Sequence, residues 1–239
     1  MPTMESVGFT PLDEKKTLQT YAIASPPNVS DCASMVVGGW AKRAFDILVA
    51  FLVLLCLAPL FLMVAVAVKL ASPGPVLYGH ERIGHGGRTF RCWKFRSMVT
   101  NGDEILAKYF KDHPEEHDEW IKNRKLRNDP RVTRIGAVLR AYSVDELPQI
   151  VNVLRGDMSL VGPRPVVKDE LEMYGTAASH YLQGRPGITG LWQVSGRSDT
   201  SYDQRILFDT SYVLNWSLAG DLVIIARTIP TVLSSKGSY

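Results

Sequence analysis

Twenty-two consecutive residues, Ile47 to Val68, contain no charge and no polar side chain able to face water. As a straight helix this run is about 33 Å long at 1.5 Å per residue, which matches the hydrocarbon thickness of a bilayer. A core helix of a water-soluble protein keeps polar positions at helical period, and this run has none. A cleaved secretory signal also fits poorly, because more than forty residues precede the apolar stretch. The sequence therefore reads as membrane-associated.

The flanks of the run restrict how it sits. Lys42 and Arg43 precede it, and Lys69, Arg82 and Arg88 follow it, so positive charge lies on both sides and gives the positive-inside rule no single answer. Pro59, near the middle, removes one helical hydrogen bond and clashes with the carbonyl four residues back. A helix bent there can enter one leaflet and leave by the same face, keeping both basic flanks in the cytoplasm. A kinked helix that crosses the bilayer is the equal alternative. Asp46 lies at membrane depth, where a lone carboxylate is costly, and Lys42 or Arg43, about one turn back, is its expected partner.

The rest of the chain reads as α+β, predominantly helical, with a small β-hairpin. Its 239 residues, 46% hydrophobic, suffice for one cored domain with accessories. Net charge +3 is too mild for a protein that coats nucleic acid. Cys32, Cys56 and Cys92 are odd in number and lack CxxC spacing, which argues against a disulfide framework and for a reducing compartment. Residues 1–38, with Pro2, Pro11, Pro26 and Pro27 and no sustained period, read as a disordered tail. Residues 39–70 form the membrane helix and 71–239 a compact domain. Within that domain strands are expected at 76–78 and 89–95 around a Gly84–Gly87 turn. Helices are expected on either side of Pro114 and at 134–140, 145–154, 166–174 and 202–214. Residues 218–233 read as a core or interfacial helix.

Four segments carry candidate chemistry. Asp145 and Glu146 stand where a helix is expected to begin, with Ser143 and Glu146 at capping-box spacing or Asp145 itself as N-cap. At such an end the free amides favour ionised carboxylates and attract phosphate. Lys94 and Arg96 alternate around Phe95, so in a strand both cations face one way. Arg164 is fixed between Pro163 and Pro165, as suits a rigid bidentate phosphate contact. The loop from Arg185 to Arg197 adds two arginines, Trp192 and Gln193. Taken singly each is a cap, a turn or a solvated charge; together they point to a diphosphate and a base. His113 and His117, four apart around Pro114, read as a surface pair rather than metal ligands.

These residues resemble the bacterial sugar transferases known as polyprenol phosphate phosphoglycosyl transferases, of the small monotopic kind. The matching stretches are Lys42 to Asp46, Lys94 to Met98, Ser143 to Gln149, Gly156 to Pro165, and Arg185 to Arg197, which together cover nearly everything from Gly39 onward. The nearest likeness is to the galactosyl-phosphate transferases that start succinoglycan-type exopolysaccharide synthesis. Two departures stand out: Ala58-Pro59 replaces the usual Ser-Pro at the helix break, and the four N-terminal spans of longer relatives are missing.

The resemblance implies transfer of hexose 1-phosphate, galactose or glucose, from a UDP-sugar to undecaprenyl phosphate, with release of UMP and a requirement for Mg2+. Asp145 would be the nucleophile and would form an aspartyl-phosphosugar, with Glu146 positioning the metal or Asp145, so both carboxylates are the expected metal ligands. Lys94, Arg96, Arg140, Arg164, Arg185, Gln193 and Arg197 would bind substrate. The expected setting is the cytoplasmic face of a bacterial inner membrane, with lipid, a homodimer and downstream glycosyltransferases as partners and no nucleic acid. A noncatalytic membrane-tethered scaffold for polysaccharide assembly is the rival reading. An alcohol phosphotransferase of phospholipid synthesis would need several spans and a spaced aspartate motif, which this sequence lacks.

Overall fold

The computed structural model describes residues 36–123, 126, 128–195 and 200–233. The tail expected over 1–38 falls mostly outside them, as does Arg197. Helix α1 (Gly39–Ala71) is continuous through Pro59. Hairpin strands β1 (Leu77–Ile83) and β2 (Thr89–Phe95) follow, then helices α2 (Gly102–Asp112), α3 (Pro114–Asn123) and α4 (Arg134–Ala141). After a 3-10 turn at Val144–Glu146 come α5 (Gln149–Arg155), β3 (Ser159–Val161), α6 (Lys168–Glu172) and α7 (Ala178–Tyr181). Strand β4 (Gly187–Thr189) and helices α8 (Leu191–Ser195), α9 (Tyr202–Leu214) and α10 (Leu218–Leu233) complete the described chain.

Lys42, Asp46 and Ala50 recur every fourth residue along α1 and are buried, and Val64 and Val68 repeat the spacing near its other end. Phe51, Leu52, Leu55, Leu62 and Met63 are exposed. In the most apolar 18-residue window of α1 only 11% is buried, so α1 is not a soluble core helix. Ala50 packs with Ile150, Val153 and Leu160 in the largest core, whereas Val64 and Val68 pack with Phe95 and Leu139 in another. Both ends of the helix thus rest on the same domain.

The hairpin pairs Leu77 with Phe95 and Ile83 with Thr89. Strand β1 extends past the expected Tyr78 through polar residues, because its partner strand supplies the hydrogen bonds that propensity does not. A second, parallel pair, Ser159 with Gly187 and Val161 with Thr189, went unforeseen. The Gly162 amide donates to Thr189 O at 3.0 Å and the Gly187 amide to Pro163 O at 2.8 Å. A Cβ on Gly162 would overlap the Arg185 carbonyl and one on Gly187 the Gly162 amide, so this crossing needs glycine at both positions.

The helix expected over 145–154 is interrupted. Pro148 has no N–H to bond the Val144 carbonyl, and the Leu147 amide takes that carbonyl instead at 3.2 Å. Regular α-helix begins only at Gln149. The capping box also fails: Ser143 is left-handed, with φ 55°, and caps nothing through its side chain. Asp145 accordingly sits in the 3-10 turn rather than at an α-helical N-cap. Helix α10 buries Asp221 and Ile224 and leaves Leu222, Val223 and Ile229 exposed.

Candidate active site

Helix α4 starts at Thr133, whose Oγ1 accepts the Gly136 amide at 2.9 Å, and ends one turn before the carboxylate pair. The left-handed Ser143 then reverses the chain, a conformation worth about 1–2 kcal/mol of strain for a non-glycine residue. That reversal tucks Asp145 inward, where it is 8% exposed. Strand β2 delivers Lys94, whose Nζ lies 2.6 Å from Glu146 Oε1, and α4 delivers Arg140, whose Nε donates to Ser97 Oγ at 2.8 Å.

Lys94 and Arg140 therefore flank Asp145 electrostatically while each bonds elsewhere, and Asp145 has no ion pair of its own among the described residues. Burial, reinforced by the negative charge of Glu146, pushes the Asp145 carboxyl up to about 6, against the opposing pull of Lys94 and Arg140. A carboxylate whose charge is under-compensated is poised to meet a cation or an electrophile.

Arg96 does not join Lys94. Strand β2 ends at Phe95, so the alternation stops, and the Arg96 guanidinium turns to the end of α1. There it donates to Ser72 O at 2.7 Å and Pro73 O at 2.9 Å, supplying donors where a helix end leaves carbonyls free. At 7% exposure its role in this structure is to cap α1 against the hairpin. Arg185 likewise donates to Gly156 O at 3.0 Å, away from Asp145, and Gln193 donates to Ile188 O at 3.3 Å with its Oε1 buried and unpartnered.

The Arg164 amide donates to Asp209 Oδ2 at 3.3 Å, and Tyr174 Oη donates to the same oxygen at 2.8 Å. The Arg164 guanidinium lies over the Trp192 ring. The buried Cys92 thiol senses the charges of Lys94 and Glu146 and of Arg82 and Arg164. Burial pushes that thiol up to about 11, so it is a neutral core side chain and not a nucleophile.

Three positions escaped the sequence reading. Asn152 accepts the Trp93 amide at 3.1 Å and donates to Arg91 O at 2.8 Å, locking α5 to the strand that carries Lys94. Asp221 is the lone carboxylate of an apolar helix and Asp209 follows the apolar Ile206-Leu207-Phe208 run, and those neighbours were the available signal, since a buried acid needs partners. Of the partners expected for Asp46, Lys42 favours its charge through space without an ion pair to it. Lys42 pairs with Asp221, Arg43 donates to the Val153 and Leu154 carbonyls at the end of α5, and Asp46 accepts the Leu160 amide at 3.2 Å.

The bacterial sugar transferase family model matches residues 37–235, which takes in every element described above. The chain belongs to the bacterial sugar transferase family. This sugar transferase is 58% identical over 203 residues to the exopolysaccharide production protein ExoY of Sinorhizobium fredii, covering 85% of this chain and 90% of that one. It is 49% identical over 198 residues to the undecaprenyl-phosphate galactose phosphotransferase of Salmonella typhimurium, covering 83% of this chain and 41% of the longer relative. Against the UDP-glucose:undecaprenyl-phosphate glucose-1-phosphate transferase of Caulobacter vibrioides the identity is 43% over 206 residues, covering 83% and 72%.

His113, Glu115 and Glu116 form the one three-residue grouping of metal-ligand type among the described residues, on the exposed junction of α2 and α3. Glu116 there accepts from Tyr109 Oη at 2.9 Å. His113 packs on Tyr109 and His117 on Phe110, so the two histidines face different neighbours.

Proposed function

We propose that this sugar transferase moves a hexose 1-phosphate, galactose or glucose, from a UDP-sugar to undecaprenyl phosphate. The products are undecaprenyl-diphosphate-sugar and UMP, at the first step of exopolysaccharide synthesis. The observation that carries this reading is Asp145, a buried carboxylate flanked by Lys94 and Arg140 yet ion-paired with neither. The names of the relatives from Salmonella and Caulobacter support the same substrate classes.

In the first step an Asp145 oxygen bonds to the sugar-bearing phosphorus, and the bond from that phosphorus to the bridging oxygen breaks, so UMP leaves with the electron pair. In the second, an oxygen of the lipid phosphate attacks the same phosphorus and the carboxylate of Asp145 departs. Lys94 holds Glu146 in place, and Arg140 and Arg164 lend positive charge to the donor diphosphate.

Mg2+ suits the donor set. Asp145 is under-compensated and adjacent to Glu146, and Mg2+ typically takes one or two carboxylates together with substrate phosphates. When bound, it would neutralise diphosphate charge and make the nucleotide a better leaving group. Asp145 and Glu146 would be the residues that hold it.

We further propose that α1 is re-entrant and that the catalytic domain, residues 71–239, sits on the cytoplasmic face of the inner membrane. The packing supports this: Lys42, Arg43 and Ala50 at one end of α1 and Val64 and Val68 at the other all contact a single domain. The phosphate of a long prenol lies at that headgroup level.

The test is to incubate purified enzyme with a panel of UDP-sugars and Mg2+, with and without undecaprenyl phosphate. The expected result is UMP release with one or two of the sugars and, without acceptor, a phosphosugar adduct on the peptide containing Asp145. An adduct on Glu146 would reverse the two roles. Absence of UMP with every sugar would leave the scaffold reading in its place.

A further inference from the structure

Two guanidinium groups share one indole. Arg164 Cζ lies 5.3 Å and Arg205 Cζ 4.9 Å from the Trp192 ring centroid, and Trp192 is itself buried, at 7% exposure. The three come from separate elements: Arg164 from the Pro163–Pro165 segment, Trp192 from α8 and Arg205 from the first turn of α9. The Asp209 carboxylate fixes the backbone of Arg164, and Arg205 Nε donates to Thr200 Oγ1 at 3.3 Å.

Neither guanidinium forms an ion pair among the described residues, whereas Lys42, Arg82, Lys94 and Arg131 each do. Two like charges against one ring repel; burial and the neighbouring Arg164 both push Arg205 below its usual range. Glu170 opposes this at Arg205 but is already paired with Arg82, and Asp209 compensates only in part, because full burial pushes its carboxyl up to about 7. Two planar forks converging on a rigid aromatic, with little counter-charge, suit an anion that carries two negative charges on one phosphorus. A phosphate monoester carries about −1.5 to −2 at neutral pH, and each phosphate of a diphosphate diester only about one.

On the functional reading above, such a monoester occurs twice. UMP leaves as one, and the lipid acceptor arrives as one. In successive in-line displacements at a single phosphorus, the leaving group of the first and the attacking group of the second both lie opposite the Asp145 oxygen. We propose that Arg164 and Arg205, seated on Trp192, form one phosphate-monoester subsite that holds the departing nucleotide phosphate and then the incoming acceptor phosphate. In the second step the acceptor oxygen bonds to phosphorus and the acyl oxygen–phosphorus bond breaks, its electron pair returning to Asp145. An acceptor that arrives as the dianion requires no proton transfer.

The test loads wild-type and Arg205 variants with the phosphosugar adduct, removes UMP, and times adduct discharge by undecaprenyl phosphate and, separately, by added UMP. Arg205→Gln should slow both discharges at least tenfold and to a similar extent. Arg205→Lys should fall between, because it keeps the charge and loses the fork. Slowing of the UMP reaction alone would assign the pair to the donor and overturn the shared subsite, as would slowing of neither. A readout independent of activity is inorganic phosphate binding measured by calorimetry, which should weaken at least tenfold in Arg205→Gln. Equal binding would refute the subsite. If Arg205→Gln fails to fold, inorganic phosphate should slow both discharges of wild-type adduct, and no effect on either overturns the proposal. Failure of wild-type enzyme to form any adduct would instead count against the functional reading, and phosphate binding would still decide the subsite.

Discussion

Lys42, in the first turns of α1, donates to Asp221 of α10 at 2.6 Å across 179 residues of sequence, with both side chains almost completely buried. Asp221 also accepts from Tyr212 Oη at 2.8 Å and Trp216 Nε1 at 3.0 Å, so one carboxylate ties α9 and α10 to the start of the membrane helix. Desolvating two charges is costly, and the pair persists because both carboxylate oxygens of Asp221 find donors.

Removing one partner should therefore be worse than removing both. Lys42→Met leaves a buried carboxylate uncompensated, at a cost of about 3–5 kcal/mol. Lys42→Met with Asp221→Leu should recover much of that loss. Thermal unfolding of the three proteins in detergent checks this, and a double variant no better than the single one would argue against the pairing as the cause.

Asp145→Asn should abolish sugar transfer and stabilise the protein. The folded-state pKa of about 6 lies above the ordinary 3.8, so between those values the folded state binds more protons than the unfolded. Stability contributed at this position is thus lost as pH rises through that window. The penalty at neutral pH is on the order of 3 kcal/mol for about two units. The variant should unfold at higher temperature than wild type at pH 7.5, with the gap closing near pH 4. A gap that does not vary with pH would place its origin elsewhere.

The same titration governs activity in the opposite sense. Nucleophilic attack needs the ionised carboxylate, so kcat/KM for the UDP-sugar should fall about tenfold per pH unit below the Asp145 pKa, which is about 6 without a cation and lower with Mg2+ beside it. An acid limb that does not shift downward as Mg2+ is raised would remove Asp145 ionisation from the rate law.

Arg164→Lys keeps a charge on the Pro163–Pro165 segment and loses both the fork and the stack on Trp192. Turnover should drop at least tenfold while thermal stability moves little, because the Arg164 contact with Asp209 is made by the backbone. Near-normal turnover would take Arg164 out of phosphate binding.

Topology is open to direct labelling. In a background free of native cysteine, single cysteines at Ser34 and at the exposed Arg88 should both react from the cytoplasmic side only. Labelling from opposite sides would establish a crossing helix in place of a re-entrant one.

The apolar run, the basic flanks, Pro59, the hairpin around Gly84–Gly87 and the helices at 134–140 and 202–214 were legible because each depends on local composition or spacing. Asp145 with Glu146, and Arg164 between two prolines, were visible for the same reason: unusual residue types stand adjacent in the chain.

Which cation meets which anion was not legible, since that depends on elements brought together from far apart. Lys42 reaches Asp221 rather than Asp46, Arg96 caps α1 rather than pointing with Lys94, and Arg205 joins Arg164 on Trp192. The parallel strand pair was equally hidden, because three buried residues carry no period and their pairing is set by the close approach of Gly162 to Gly187. Sequence by itself determined the long apolar helix and the chemical types available at the site. Only the tertiary structure decided burial and partner choice, and these set the charge on Asp145, because desolvation and the distance to Lys94, Arg140 and Glu146 are properties of the folded arrangement.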